Sequence, residues 1–559
     1  MDNTNLPAPP DTRKMSDDAQ ITPVLGLGRL APFAWERSAD KTVIRLFWGR
    51  ILLWLIALTS IGWVSLASGA YTFVKYRRGF TDVRYTHMLL LPWKLDDYRK
   101  SKGEFLIKQG MDLAEKQEWR AAFSLLRTGL VTVPEHREAR LMVARLYLMA
   151  GRPDMVRTIL IEGLPHHGDQ LDYLRQVLGF FFGLQADDTV VSLTGDLRTR
   201  LAPENPAHRM ATTAQAYAHF NRGRYAEAEE LLRSSRLLGT PEGRFVMARI
   251  AWEKNQREQA MAQLGELTAR VPEDPEIYRT LVFYLRENRR WPELRRTTVA
   301  RQLALPDRAE AYVDFIAACS DQGDETARTQ AEESYFERFA NNPEALLKLS
   351  EDAARSGRVD TTRRVATRCR ELGRKEPDAT SLLFTALLER KAYREIGSLW
   401  AQLQPSIPAW PERQQLIVGG LRGIALYGQG DEVEAQPFVR RLYETRSLPA
   451  QTLTVLAGQL DKVGQKAEAH RVLRHAVEID PLYQPATTLL LRKLLAENQL
   501  EEAPALIDRL LTMRKPPADL LAELAQVLSS DLYLFQPGKE RAQAKIKAYQ
   551  DRTAPLAGP

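Results

Sequence analysis

The residue types that carry out chemistry are present in this chain, but they do not occur at the spacings that build known reactive sites. Gly26 with Gly28, and Gly419 with Gly420, lack the further glycines, the lysine and the preceding strand of a nucleotide-phosphate loop. The sequence contains no GxSxG nucleophile motif, no HExxH zinc motif and no set of protein-kinase motifs. We therefore predict that the chain is not an enzyme.

The candidate metal ligands and acid–base groups are better explained as ordinary helix or turn residues. His166 and His167 are adjacent, so they point in different directions on a helix, and no nearby cysteine completes a metal site. Glu227, Glu229 and Glu230 occupy helical positions where ion pairs with an arginine one turn away are expected. We predict no metal and no cofactor.

The chain has only two cysteines, Cys319 and Cys369, and neither lies in a CxxC pair. This spacing excludes a zinc ribbon and a thioredoxin-like redox motif. Both cysteines fall on predicted helices that are far apart in the sequence. We predict two small, buried thiols and no disulfide.

Length and charge limit the architecture and the partners. A chain of 559 residues is too long for one compact core, so several domains or a repeat array are expected. Lysine and arginine number 78 against 71 acidic residues, which gives a net charge of only +7. Basic clusters interleaved with aromatic residues, as in a nucleic-acid channel, are absent from the sequence. We expect no nucleic-acid partner.

One segment has the composition of a membrane anchor. Ile51 to Val74 is 24 residues long and carries no charge, whereas about 20 apolar residues suffice to cross a bilayer. The alternatives are a buried core helix and a cleaved signal peptide, but the segment is longer than a signal-peptide core and starts far from the N-terminus. The residues that we assign to the anchor include Ile51, Trp54, Gly62, Trp63 and Val74.

The charges beside the anchor do not decide its orientation. Four basic residues precede it and four follow it, namely Arg37, Lys41, Arg45 and Arg50, then Lys75, Arg77, Arg78 and Arg84. Long domains that follow an anchor cross the membrane largely regardless of charge. We therefore expect a single-pass protein whose long C-terminal part lies outside the cytoplasm.

The segments around the anchor have their own compositions. Residues 1–35 are polar and rich in proline, which predicts a disordered tail, and residues 36–80 hold the anchor and its flanks. Residues 81–101 form a linker whose run from Met88 to Trp93 is apolar apart from Pro92. This run either lies on the membrane surface or covers the first repeat.

From residue 102 onwards, a pattern about 34 residues long recurs. Its clearest copy, from Val463 to Pro481, reads VGQKAEAHRVLRHAVEIDP. Small residues recur where two helices approach closely, and larger apolar residues recur at helical spacing between them. The residues that we assign to repeat packing are Gly110, Ala122, Gly151, Gly223, Ala228, Ala260, Gly464, Ala469 and Ala476.

These units resemble tetratricopeptide (TPR) repeats, in which each unit pairs two antiparallel helices. The resemblance implies an all-α fold, an α-solenoid of roughly twelve stacked helix pairs with a groove along the stack. We place the array at 102–515 and capping helices with a tail at 516–559, the helices covering 518–532 and 539–550. An unrelated helical-hairpin array of the same class is the alternative.

The resemblance implies binding of partner proteins in the groove, with Trp252, Tyr278 and Trp291 as candidate contacts, unless these rings fill the core between repeats. The chain is similar to bacterial inner-membrane repeat proteins that act in envelope or polysaccharide assembly. This predicts a scaffold in the inner (cytoplasmic) membrane, with the array on the periplasmic side, that assembles or regulates an envelope complex. The alternative is an accessory subunit of exopolysaccharide synthesis or secretion that binds glycan.

Overall fold

The computed structural model describes residues 20–23, 31–38, 41–530 and 537–553. Over these residues the chain is helical apart from one small sheet, which confirms the predicted all-α solenoid class. The chain forms two compact units, residues 1–167 (unit 1) and residues 168–559 (unit 2). The predicted array 102–515 is therefore divided between the two units.

Unit 1 begins with a three-stranded antiparallel sheet, in which β2 pairs with both neighbours. Its strands are β1 (Gln20–Pro23), β2 (Phe33–Ser38) and β3 (Lys41–Leu46). The β3 sequence KTVIRL alternates polar and apolar residues and is rich in β-branched side chains, which favours a strand. The prediction of a disordered tail is wrong for residues 20–23 and 33–35, and the rest of that tail, apart from 31–32, lies outside the described residues.

The predicted anchor is one long helix, α1 (Trp48–Thr72), which continues as a π-helical turn, Phe73–Arg77. Only 6% of the most apolar 18-residue stretch of this helix is buried. The rest of the chain therefore does not cover the helix as it would cover a core helix. Many of its large side chains are more than half exposed, among them Leu52, Leu55, Ile56, Leu58 and Ile61. By length and composition, this helix can cross a membrane.

The linker folds back along the second half of α1. Helix α2 (Tyr85–Leu89) packs there, and the Trp63 indole N–H donates to the carbonyl oxygen of Leu89 at 2.7 Å. The hydroxyls of Ser68 and Tyr85 are hydrogen bonded at 3.0 Å. Met88 is buried against α1 and the following helix, whereas Trp93 is 80% exposed. Met88 therefore lies as expected for a run that covers the first repeat, and Trp93 does not share this contact.

The remaining helices of unit 1 stack as pairs, and they begin earlier than predicted, at Leu95. They are α3 (Leu95–Glu115), α4 (Trp119–Thr132), α5 (Arg137–Met149), α6 (Pro153–Ile161) and α7 (Leu164–His167). Helices α3 and α4 meet at small residues: a Cβ on Gly110 would lie 2.7 Å from Cγ of Leu126. Ala122 is fully buried in the same contact layer.

Unit 2 continues the pairing from Leu171 to the last described helix. Its first helices are α8 (Leu171–Gly183), α9 (Asp187–Arg200), α10 (Pro206–Asn221), α11 (Tyr225–Ser234), α12 (Pro241–Glu253), α13 (Arg257–Arg270), α14 (Pro275–Glu287), α15 (Trp291–Ala304), α16 (Ala309–Asp321) and α17 (Glu325–Phe339). The middle ones are α18 (Pro343–Arg355), α19 (Val359–Glu371), α20 (Glu376–Glu389), α21 (Tyr393–Leu403), α22 (Glu412–Gln429) and α23 (Glu432–Glu444). The last are α24 (Ala450–Lys462), α25 (Lys466–Ile479), α26 (Gln484–Ala496), α27 (Ala503–Leu510), α28 (Ala518–Leu528) and α29 (Lys539–Thr553).

The even-numbered helices of unit 2 pack on each other as well as on their partners, for example α18 on α20 and α20 on α22. Their starts follow from the sequence. Asn205, Thr240, Asp274 and Asn342 each accept a hydrogen bond from a backbone N–H of the first turn, and a proline follows each of them. The predicted capping helices form one more pair, α28 with α29.

The small residues assigned to repeat packing have two different roles. Ala228, Ala260, Ala469 and Ala476 are fully buried between helices. Gly151, Gly223 and Gly464 instead lie in turns with φ of +67°, +71° and +84°. At Gly151 and Gly464 an added Cβ would meet no atom within 4 Å, so helix contact is the wrong role for these two glycines. The left-handed turn conformation explains their identity.

Both cysteines are free and fully buried, so their thiols should not react in the folded protein. Burial raises the pKa of both, that of Cys369 to about 11, so at pH 8 the reactive thiolate scarcely forms. We expect the full-length protein in detergent to resist Ellman's reagent at pH 8, and to release two thiol equivalents once urea unfolds it. Rapid reaction of the native protein would contradict the burial.

Candidate partner-binding cavity

The first helices of four successive pairs of unit 2 line an open cavity of about 600 Å³. It lies along the even-numbered helices α8, α10, α12 and α14. Most of its lining is apolar, and its large apolar side chains include Phe182, Met210, Tyr217, Phe245 and Ile277. Clefts of this size and polarity are typical of sites that bind small molecules or a few side chains of a partner.

The residues that start the helices also form part of the rim. Thr240, Pro241 and Asp274 line the cavity while they cap or open α12 and α14. The Asp274 carboxylate accepts the backbone N–H of Glu276 at 2.8 Å. Because the same short motifs fix both the helix ends and the rim, the cavity shape is tied to the local folding of each pair.

Aromatic rings and one arginine form a cluster beside the cavity. The Arg249 guanidinium carbon lies 5.0 Å from the ring centroid of Tyr217, 4.6 Å from that of Phe220 and 5.7 Å from that of Phe245. Arg249 also donates a hydrogen bond to the Tyr217 hydroxyl. Cation–π contacts of this kind attract the guanidinium to the ring faces and so favour this arrangement of the rings. Arg209, Glu242 and Asp274 add charged groups to the cavity lining.

The predicted contact residues Trp252, Tyr278 and Trp291 are not among the residues that line this cavity. Trp252 is half-buried and stacks flat on Tyr284, with ring centroids 3.6 Å apart. Tyr278 is only 3% exposed, and burial raises its pKa. Trp291 is half-buried and, like Trp252, packs against the core cluster that contains Leu281 and Leu285. Tyr278 is therefore a core residue, as the alternative interpretation of these rings states.

Sequence reasoning missed the cavity aromatics, although one signal pointed towards them. The GFFFG segment at 179–183 places three phenylalanines in a row, and a helix cannot bury three successive side chains in one core. Phe181 is fully buried, whereas Phe182 lines the cavity. Tyr217 and Phe245 show no comparable local signal.

The residues with potential for chemistry have structural roles. His167 is nearly buried, its Nε2 lies 2.7 Å from the carbonyl oxygen of Glu135, and burial lowers its pKa. Gly420 lies inside α22, where a Cβ would come within 2.8 Å of Leu442, so it serves helix packing. Glu229 pairs with Lys254 of the next helix pair instead of with an arginine one turn away. Among the residues that the structure describes, no cluster of three or more possible metal ligands occurs.

No protein-family model matches the chain, and no protein of curated function matches its sequence. Solved structures do show similarity. A tetratricopeptide repeat protein from Parabacteroides merdae is 12% identical, with 45% of this chain and 98% of that chain covered and a TM-score of 0.27. Yeast Tom70 is 12% identical, with 82% of this chain and 97% of that chain covered and a TM-score of 0.29. A chain in the structure of Naa15/Naa10 bound to HypK-THB is 14% identical, with 89% of this chain and 80% of that chain covered and a TM-score of 0.28.

At TM-scores this low, the repeat assignment rests on the helix pairs of the chain itself. Those pairs have the features of a helical repeat array: neighbouring helices that pack as pairs, buried alanines at the contact layer, and stacking of most even-numbered helices of unit 2 on the next one. The described residues form an α-solenoid of stacked antiparallel helix pairs, preceded in sequence by one apolar helix long enough to cross a membrane.

Proposed function

We propose that this protein is a membrane-anchored scaffold that binds a segment of a partner protein in the cavity of unit 2. In this proposal it assembles or regulates a complex at the cell envelope. Helix α1 holds the chain in the inner membrane as a single span, and the repeats lie on the periplasmic side. The observation that supports partner binding best is the apolar cavity of about 600 Å³ along four successive helix pairs.

The cavity suits apolar side chains of a peptide or helix. Its volume accommodates a few large side chains, and the aromatic cluster around Arg249 gives it rigid walls. Buried apolar anchors in preformed pockets supply most of the affinity in protein interfaces. The charges of Arg209, Glu242 and Asp274 would then orient the partner segment without dominating its affinity.

A second candidate is a glycan-binding accessory subunit of exopolysaccharide synthesis or secretion. The rings of Phe182, Tyr217 and Phe245 in the cavity favour it, because sugars stack their C–H faces on aromatic rings. The position of Arg249 counts against it: its guanidinium lies against these rings and binds the Tyr217 hydroxyl, so less aromatic and polar surface is left for a sugar. The protein partner is therefore the leading proposal.

Site-specific photocrosslinking in cells tests the proposal. The full-length protein carries a benzoylphenylalanine at position 210, inside the cavity, or at position 303, where the native Leu303 is 79% exposed on α15. We expect position 210 to capture one or a few envelope proteins that position 303 does not. A chain lacking residues 1–80 should lose this capture. Equal products from both positions would contradict the cavity as the site, and a glycan adduct at position 210 would support the second candidate.

A further inference from the structure

The turn between α27 and α28, residues 511–517, reaches back to the start of unit 2. This C-terminal turn contacts residues that precede it by about 260 to 330 positions. Arg514 donates from Nε and Nη2 to the two carboxylate oxygens of Asp187, both at 2.8 Å. Asp187 is fully buried and also accepts from the Asn221 amide at 2.8 Å. This is a bidentate, charge-assisted pair, which is among the strong kinds of hydrogen bonding in proteins.

The neighbouring Lys515 contacts a different pair of residues, Glu253 and Phe220. Its ammonium donates to Glu253 at 2.6 Å and lies 3.8 Å from the ring centroid of Phe220. Partial burial lowers the pKa of Lys515 to about 8, although 29% of the side chain remains exposed. Its backbone has φ of +47°, a conformation that is uncommon for residues other than glycine. The contacts therefore hold the turn in a strained conformation.

Arg514 and Lys515 thus meet a surface that matches both of them. The Arg514 guanidinium also donates to the carbonyl oxygen of Phe182 at 2.9 Å and lies 5.6 Å from the centre of its ring. Each cation has one carboxylate and one aromatic ring as partners. The backbone of the C-terminal turn is also bound, because Arg222 donates a hydrogen bond to the carbonyl oxygen of Thr512 at 2.5 Å.

We propose that Asp187, Glu253, Phe182 and Phe220 form a binding site for an Arg-Lys pair, and that a partner segment with this pair binds there by displacing the C-terminal turn. In the structure, the C-terminal turn itself fills this site with Arg514 and Lys515. Helix α28 contacts α26 and α29 contacts α27 through residues outside the turn, so these helices have packing of their own. The turn itself buries Met513, which is 2% exposed, so a partner segment must also cover the apolar surface that Met513 leaves. The partner must compete with a tethered occupant of high effective concentration. This site shares Phe182 with the cavity, but its carboxylates Asp187 and Glu253 lie outside the cavity lining, so the proposal goes beyond the cavity.

Peptide binding to purified full-length protein in detergent micelles tests the proposal. The probe is a fluorescein-labelled peptide with the sequence of residues 510–518, LLTMRKPPA. The variant with Arg514→Ala and Lys515→Ala should bind it at least ten times more tightly than the native chain, because its own turn no longer fills the site. A peptide with two alanines in place of the Arg-Lys pair should not bind. Adding Asp187→Asn to the variant should abolish binding of the original peptide.

A matched control is Arg492→Ala, which removes an exposed ion pair with Asp519 near the same turn but leaves the Arg-Lys pair in place. It should bind the peptide as weakly as the native chain. Hydrogen exchange gives an independent measurement: the double variant should exchange faster at 185–188 and 221–224, and the peptide should restore protection. A double variant that binds the peptide no better than the native chain, or whose protection at these residues is unchanged, would overturn the proposal. Both measurements use purified protein, so they are independent of the crosslinking result.

Discussion

Replacing Gly243 with alanine should destabilise the start of unit 2 by about 3 kcal/mol, because the added methyl group has no space. An ideal Cβ on Gly243 would lie 2.0 Å from the carbonyl oxygen of Leu237, which is backbone and cannot rotate away. The same oxygen accepts hydrogen bonds from the N–H and the hydroxyl of Thr240. The Thr240 hydroxyl in turn accepts the N–H of Gly243. Alanine would therefore break the cap of α12 and deform the cavity rim.

Gly265→Ala on the neighbouring helix α13 is the matched control. Gly265 is exposed, and a Cβ there would meet no atom within 4 Å. Alanine restricts the unfolded chain and suits a helix interior, so this variant should be stabilised by roughly 0.5–1 kcal/mol. Urea unfolding of the full-length protein, followed by circular dichroism, and hydrogen exchange of residues 237–253 would measure both effects. Equal midpoints for the two variants would contradict the tight cap at Gly243.

The contrast between these two glycines shows what the sequence can and cannot predict. The repeat pattern predicts helix pairs with buried small residues, and Ala228 and Ala260 lie as that pattern requires. It does not predict whether a particular glycine is crowded. Gly243 is crowded because the Leu237–Thr240 loop folds onto its own helix, and loop geometry of this kind is set by the packing of two pairs. Helix periodicity carries no information about it.

Contacts between distant parts of the chain are harder still to predict. Asp187 looks like an ordinary first-turn carboxylate of α9, and Arg514 like a basic residue before a proline pair. Their contact depends on the sum of small rotations over all the repeats between them, which no single repeat encodes. The cavity aromatics were missed for a related reason. Tyr217 and Phe245 lie on different helix pairs, and only the stacking of α10 on α12 brings them to the same cavity.

The anchor prediction concerns the segment where sequence and structure agree most directly. Replacing Leu58 and Ile61 together with arginine should remove the protein from the membrane. Both side chains are 63% exposed on α1 and lie near the middle of the charge-free segment. An arginine at the centre of a spanning helix costs about 2.5–3.5 kcal/mol on insertion scales, so two of them exceed what the remaining apolar residues can offset. We expect the fraction that resists carbonate extraction to fall from nearly all to almost none.

Two arginines on exposed apolar positions of the repeats provide the control. Val131→Arg with Leu303→Arg alters side chains that are 80% and 79% exposed, so the same charge is added without touching α1. This variant should remain with the membrane, as we propose for the native chain. If the Leu58 and Ile61 variant also resisted extraction, α1 would have to be covered by protein, and the exposed apolar face would be a docking surface instead of an anchor. If both variants were extracted, added charge alone would explain the loss.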